Sequence, residues 1–191
     1  MPIAAIILAA GSSSRLGRPK QTVVLAGETL VERAVRVATE AGLSPVIAVI
    51  LDSTLIDRLQ QAGATVLLNR KAYEGMSTSI HTGIRWAKSI NPSGAVLMAC
   101  DQPALTSTHL RALCEQPDSP TGSGYSGKIG IPAYFPASCF DSLLQLQGDT
   151  GARDLLRSAH AVAAEDLTLD IDSEADLQRA RTLLEPAAPK P

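Results

Sequence analysis

Four short apolar runs, rich in β-branched residues, recur over the first hundred positions, at 3–8 (IAAIIL), 46–51 (VIAVIL), 65–68 (TVLL) and 95–99 (AVLMA). None alternates polar with apolar residues. A strand with one face in water would alternate, so unbroken runs fit strands covered on both faces, as in a parallel sheet between two helical layers. Segments of helix length separate the runs. Residues 29–41 set Leu30, Ala34, Val37 and Ala41 on one stripe, place Glu32, Arg33, Arg36 and Glu40 on other faces, and stop at Gly42. Residues 53–62, 77–89 and 106–116 behave alike, each opening near a Ser or Thr that can cap a first turn. The order βαβαβαβα predicts an α/β fold, a three-layer α/β/α sandwich around a mostly parallel, Rossmann-like sheet. Crossovers should be right-handed, with ligands outside the carboxyl ends of the strands.

The rhythm changes after residue 116. Residues 117–130 are rich in Pro, Gly and Ser, and an extended segment at 131–135 is interrupted by Pro132, which predicts a small flap or hairpin. Helices are expected at 139–146, 150–158 and 173–184, the last with Ser173 and Asp176 as its capping pair. A length of 191 residues is enough for one core. We expect a single domain over residues 1–185 and a disordered tail, rich in Pro and Ala, over 186–191.

Several function classes are disfavoured. A net charge of −2 with scattered Lys and Arg leaves no basic face for nucleic acid. The apolar run 3–10 is too short to span a bilayer and lacks a signal-peptide pattern, so the expectation is a cytoplasmic protein with no membrane partner. Cys100, Cys114 and Cys139 suggest neither a disulfide framework nor a zinc site. His81, His109 and His160 lack metal-ligand spacing, and no GxSxG nucleophile motif is present.

The loop after the first strand carries the strongest chemical signal. In LAAGSSSRLGRPK, Leu8, Ala9, Ala10, Gly11, Ser12, Ser13 and Ser14 keep the backbone unobstructed, while Arg15, Arg18 and Lys20 supply positive charge. Small residues let backbone amides approach a phosphate chain, and basic side chains neutralise it. The loop is not a Walker A sequence, because Leu16 stands where the second glycine belongs. Gly122, Gly124 and Gly127 satisfy GxGxxG but open no helix, so the dinucleotide reading fails on context.

Carboxylates complete the chemistry. Asp101 follows the fourth apolar run directly, at the edge where a parallel sheet binds its ligands. An Asp there serves either as a turn former or as a magnesium ligand, since Mg²⁺ binds through one or two carboxylates plus substrate phosphates. Asp172, with Asp170 the weaker candidate, lies ahead of the last helix, where an acid either caps the helix or adds a metal contact.

LAAGSSSRLGRPKQ resembles the signature LAAGxSxRMGxxK of the MobA-like nucleotidyltransferases, with Leu16 in the usual Met position. The resemblance runs from residue 6 to residue 177 and implies a sheet of the nucleotide-diphospho-sugar transferase type. It makes Arg15, Lys20 and Asp101 the catalytic set, and Asp101 and Asp172 the Mg²⁺ ligands. EGMSTS at 74–79 is similar to the family's base-side segment, which implies nucleotide contacts from Gly75, Ser77 and Ser79, although Ser77 fits a helix cap equally well. GIPAYF and GDTGARDLL resemble segments bordering the acceptor pocket, which implies roles for Gly130, Pro132, Asp149 and Arg153. Ala9 and Ala10 resemble the cytidylyltransferase branch. The implied reaction moves CMP from CTP to a phosphorylated acceptor, first among them molybdopterin, and a molybdoenzyme would be a fitting partner. Ile131 departs from the His that many molybdopterin cytidylyltransferases carry. Transfer to a sugar or polyol phosphate, or a non-catalytic carrier of the molybdenum cofactor, remains open at this level.

Overall fold

The computed structural model describes residues 1–11 and 15–184; Ser12, Ser13 and Ser14 of the first loop, and the tail at 186–191, lie outside it. Strand β1 (Ile3–Ala9) lies in the interior of the main sheet, and its residues 4–7 are fully buried. Two short strands, β2 (Val24–Leu25) and β3 (Glu28–Thr29), pair antiparallel just before helix α1 (Leu30–Glu40). There follow β4 (Val46–Ile50), α2 (Ile56–Gln61), β5 (Thr65–Leu68), α3 (Met76–Ser89), β6 (Gly94–Ala99) and α4 (Ser107–Leu113). The chain closes with β7 (Thr121–Tyr125), β8 (Lys128–Pro136), α5 (Phe140–Leu143), β9 (His160–Ala163) and α6 (Glu174–Leu184).

The main sheet has the order β5-β4-β1-β6-β8-β7-β9, with β8 alone running against the others. Both faces of β1 are covered, as unbroken apolar runs require. Ala5, Ile7 and Ala9 pack with Val31 and Val35 of α1, Leu59 of α2 and Leu110 of α4. Ala4 and Ile6 pack with Ile80 and Ile84 of α3 and Phe140 of α5. The result is the mostly parallel three-layer α/β/α fold expected from the runs.

Helix α1 begins where Thr29 accepts from the Glu32 amide and the Glu32 side chain reciprocates, a complete capping box, and it ends before Gly42 at φ 82°. Other boundaries move. Ser53–Leu55 is a 3₁₀ turn ahead of α2, and α4 stops at Leu113. The expected helix at 139–146 shrinks to a 3₁₀ turn and α5, and the one at 150–158 is only the 3₁₀ segment Ala152–Leu156. Ser77 is no cap: α3 starts one residue earlier and its N-cap is Gly75. The Ser173/Asp176 pair does cap α6, with the Asp176 carboxylate accepting from the Ser173 amide at 2.9 Å.

The flap or hairpin expected after residue 116 is a hairpin, and it is part of the main sheet. β7 and β8 form a hairpin that extends the sheet beyond β6, and β9 adds an edge strand that the sequence reading omitted. Pro132 sits inside β8 because the register shifts between Gly122 and Ser123: Gly122 faces Ala133 and Ser123 faces Gly130, so no pairing falls on Ile131 or Pro132. A residue without an amide hydrogen is tolerated at such a bulge. Gly122 and Gly124 lie within β7.

Candidate active site

Three chain segments meet at the carboxyl ends of β1 and β6. The first is the loop after β1, which returns through a 3₁₀ turn at Lys20–Thr22, where the Thr22 hydroxyl donates to the Pro19 carbonyl. The second is Asp101, two residues past β6. The third is the stretch 170–172, fastened by the Ile171 amide donating to the Asp101 carbonyl at 2.9 Å. Beneath them, Val23, Leu25 and Leu30 pack with Ile171, Leu177 and Ala180, with Leu16 against this cluster. That small core fixes α6 and Asp172 beside the first loop, which no local sequence pattern requires.

Charges interlock above it. Lys20 Nζ donates to Asp101 Oδ2 at 2.8 Å and also to Asp172 Oδ1. Arg15 donates to the other Asp172 oxygen, and Arg18 pairs with Glu174 at 2.8 Å, out in solvent. Burial lowers the affinity of Lys20 for its proton, but Asp101 and Asp172 outweigh it and hold the ammonium above its usual range. Asp170 is pushed up to about 6, first by burial and then by the charge of Asp101. Burial likewise pushes the Cys100 thiol up, so Cys100 is an inert wall residue.

A cleft of about 350 Å³ opens over these groups, lined by Leu8, Ala9, Ala10, Gly11, Arg15, Lys20, Ser79, Asp101 and Asp172 among others. A second, of about 390 Å³, lies alongside and is lined by Tyr125, Gly130, Arg153, Asp154 and Leu156 together with the loop at 149–152. Met76, Ile131 and Asp149 line both. The clefts are therefore two adjoining chambers that share these three residues.

Most of the expected site residues converge here. Ser79 reaches the first cleft while its hydroxyl accepts from Asn69 at 2.9 Å. Gly75 and Ser77 do not line it: Ser77 is buried and its amide donates to the Gly148 carbonyl. Gly75, at φ 118°, lies so close to Gly148 that a Cβ would stand 2.3 Å from its carbonyl carbon. The smallness of Gly75 thus serves contact between two protein segments, bringing the loop of Asp149 to the start of α3. Pro132 is buried in β8 and lines neither cleft; its carbonyl accepts from the Ser123 hydroxyl at 2.7 Å. Sequence reasoning gave no role to Gln21 or Met76, although both lie inside the matched segments LAAGSSSRLGRPKQ and EGMSTS, nor to Cys100 and Tyr125, which carry no spacing signal.

The donor set suits a hard divalent cation. Asp101 and Asp172 come from different segments, yet their carboxylates converge on one ammonium nitrogen, so both address a common point at the cleft floor. No group of three His, Cys, Asp or Glu poised as a closed metal site occurs among the described residues. Two carboxylates facing a cleft fit Mg²⁺ or Mn²⁺, which completes its shell with water and substrate phosphate.

Basic residues of the loop after the first strand, facing Asp101 past β6 and Asp172 ahead of α6 at the carboxyl edge of an α/β sheet, are what a nucleotidyltransferase of this fold requires. The chain belongs to the family of the MobA-like NTP transferase domain, whose pattern matches residues 5–164. It is 32% identical over 183 residues to the purine catabolism protein PucB of Bacillus subtilis, covering 90% of this chain and 88% of that one. A probable molybdenum cofactor guanylyltransferase of Opitutus terrae is 31% identical over 121 residues, 60% of this chain and 56% of that protein. Among solved structures, Rv0371c of Mycobacterium tuberculosis superposes with a TM-score of 0.80 at 26% identity, over 95% of this chain and 98% of that one. A manganese complex of Rv0371c superposes at 0.73 and 26% identity, over 97% and 100% of the two chains.

Proposed function

We propose that this nucleotidyltransferase moves CMP from CTP to the phosphate of molybdopterin, with Mg²⁺ bound by Asp101 and Asp172. The observation that carries the reading is the pair of adjoining clefts that share Met76, Ile131 and Asp149, with Lys20, Asp101 and Asp172 on the floor of the first. Two substrates bound in neighbouring chambers can meet at those shared residues. An oxygen of the acceptor phosphate attacks the α-phosphorus of CTP, the bond from that phosphorus to the bridging oxygen of the β-phosphate breaks, and pyrophosphate leaves. No covalent enzyme intermediate is required, so the work of the protein is positioning and charge stabilisation. Lys20, Arg15 and the backbone of residues 8–11 hold the triphosphate. Bound at the two carboxylates, Mg²⁺ supplies Lewis-acid stabilisation of charge on the transferring phosphoryl group.

The second chamber supports a flat, partly apolar acceptor. Met76, Ile131 and Leu156 offer apolar walls, Asp149 and Asp154 accept hydrogen bonds from ring or amino N–H groups, and Arg153 answers a phosphate. A polyol would find partners at Asp149 and Asp154 but would leave the apolar walls of Met76, Ile131 and Leu156 without a complementary surface. The relative named as a probable molybdenum cofactor guanylyltransferase supports an acceptor of this kind, while Ala9 and Ala10 favour cytosine over guanine. The test is Mg²⁺-dependent pyrophosphate release across CTP, GTP, ATP and UTP, each with molybdopterin, a sugar phosphate and a polyol phosphate. We expect CTP with molybdopterin to exceed every other pair. Faster turnover with a sugar or polyol phosphate would overturn the acceptor, and tight molybdopterin binding with no pyrophosphate from any nucleotide would mark a carrier.

A further inference from the structure

The cations of the first loop stand on the carboxylates assigned to the metal. Lys20 Nζ bonds both Asp101 Oδ2 and Asp172 Oδ1, and Arg15 takes the remaining Asp172 oxygen. Lys20, Asp101 and Asp172 have side chains only 18%, 20% and 29% exposed, so water screens these pairs weakly. Three of the four carboxylate oxygens are thereby held by groups that the loop also needs for phosphate.

From this we infer a charge exchange built into the site: Lys20, with Arg15, occupies the metal carboxylates until a triphosphate draws both side chains away, so that nucleotide and divalent cation bind only weakly alone and strongly together. The inference rests on the metal and phosphate roles proposed above and adds the coupling between them.

The physical reason is charge balance. Two carboxylates brought together at a partly buried floor need a compensating cation. The ammonium of Lys20 provides it, and a divalent cation arriving alone must compete with that ammonium for the same oxygens. A triphosphate in the same cleft offers Lys20 and Arg15 a denser anion. Their transfer uncovers the carboxylates as the phosphates arrive to complete the metal shell. Because coupling between two ligands is reciprocal, the cation must strengthen nucleotide binding by the factor that the nucleotide strengthens cation binding.

This exchange has an inverted signature. Loss of Lys20 weakens the nucleotide, as any phosphate ligand would, yet it should tighten the bare metal. We would titrate the full-length protein with Mn²⁺, following the free ion by electron paramagnetic resonance, with and without the non-hydrolysable analogue α,β-methylene-CTP. In the wild type, once the Mn²⁺ chelated by the analogue in protein-free buffer is subtracted, the analogue is expected to tighten Mn²⁺ at least about fivefold, the lower end of ordinary coupling between sites. Lys20→Met should bind Mn²⁺ without nucleotide at least about fivefold tighter than the wild type, and bind the analogue less tightly. Lys20→Gln, which keeps polarity without charge, should do the same if Lys20→Met does not fold by circular dichroism. Nucleotide-free Mn²⁺ binding no tighter in the folded variant than in the wild type would overturn the exchange. Asp101→Asn separates this from the underlying site: if it binds Mn²⁺ with the analogue as well as the wild type does, the metal assignment itself fails.

Discussion

The half of the sheet formed by β5, β4, β1 and β6 and the half formed by β8, β7 and β9 differ in what they carry, and their strands β4 and β9 stand at the two extremes of covering. β4 is buried at every residue, whereas β9 is exposed at three of its four positions. The first half sets Asp101 just past the end of β6 and brings Lys20 to it on the loop that follows β1. The second supplies the far wall through a bulged hairpin and the loop 148–153, which leans on the first half at Gly75. The contrast suggests a division of labour in which the first half determines the reaction and the second half the acceptor.

The largest break should come from the first half. Asp101→Asn is expected to lower Mg²⁺-dependent pyrophosphate release by about three orders of magnitude, since metal stabilisation of the transferring group is worth several kcal/mol. Its circular dichroism spectrum should stay unchanged. Activity within tenfold of the wild type would move the chemistry away from the strand end.

At the seam, Gly75→Ala should cost about 2–3 kcal/mol in denaturant unfolding, because its Cβ would strike the Gly148 carbonyl and its φ of 118° strains any side chain. It should also raise the KM for the acceptor more than that for CTP. Equal effects on both would mean that the loop 148–153 serves the nucleotide as well.

The second half should show a smaller and more selective response. Arg153→Ala is expected to raise the acceptor KM about tenfold, the loss of one charge-assisted contact, and leave CTP affinity unchanged by calorimetry. Lost CTP affinity would erase the division between chambers.

The smallest effect concerns pH. His109 donates from Nε2 to Ser123, whose own hydroxyl proton goes to the Pro132 carbonyl, and burial holds the His109 pKa below its usual 6.5. The unfolded chain then takes up this proton first as pH falls. The contribution of neutral His109 is complete above about pH 6.5 and fades as pH drops through that value toward the folded pKa. Urea midpoints at pH 7.5 and 5.5 should differ less in His109→Gln than in the wild type, and an equal difference would mean that this histidine does not report on the hairpin.

The same contrast governs what could be read from sequence. Strands β1, β4 and β6 announce themselves because residues buried on both faces leave no polar interruption, and Asp101 is legible because it follows such a run. Asp172 could be suggested by resemblance, but its approach to Lys20 depends on the packing of Ile171, Leu177 and Leu25, distant in sequence. β9 was missed because an edge strand of four residues with little burial lacks periodicity. That Pro132 lines neither cleft is not legible because only the register shift at Ser123 reveals that it fills a bulge, and the place of Gly75 is not legible because its close neighbour, Gly148, lies 73 positions away.

The central claim, that a charge cluster at the strand ends drives cytidylyl transfer into the neighbouring chamber, is tested most directly by giving the wild-type protein molybdopterin, Mg²⁺ and an equimolar mixture of CTP and GTP, then determining the product mass. The account predicts molybdopterin carrying CMP, with one pyrophosphate released per product. A GMP-bearing product would contradict the nucleotide choice, and unmodified molybdopterin with no pyrophosphate released would contradict the transfer itself.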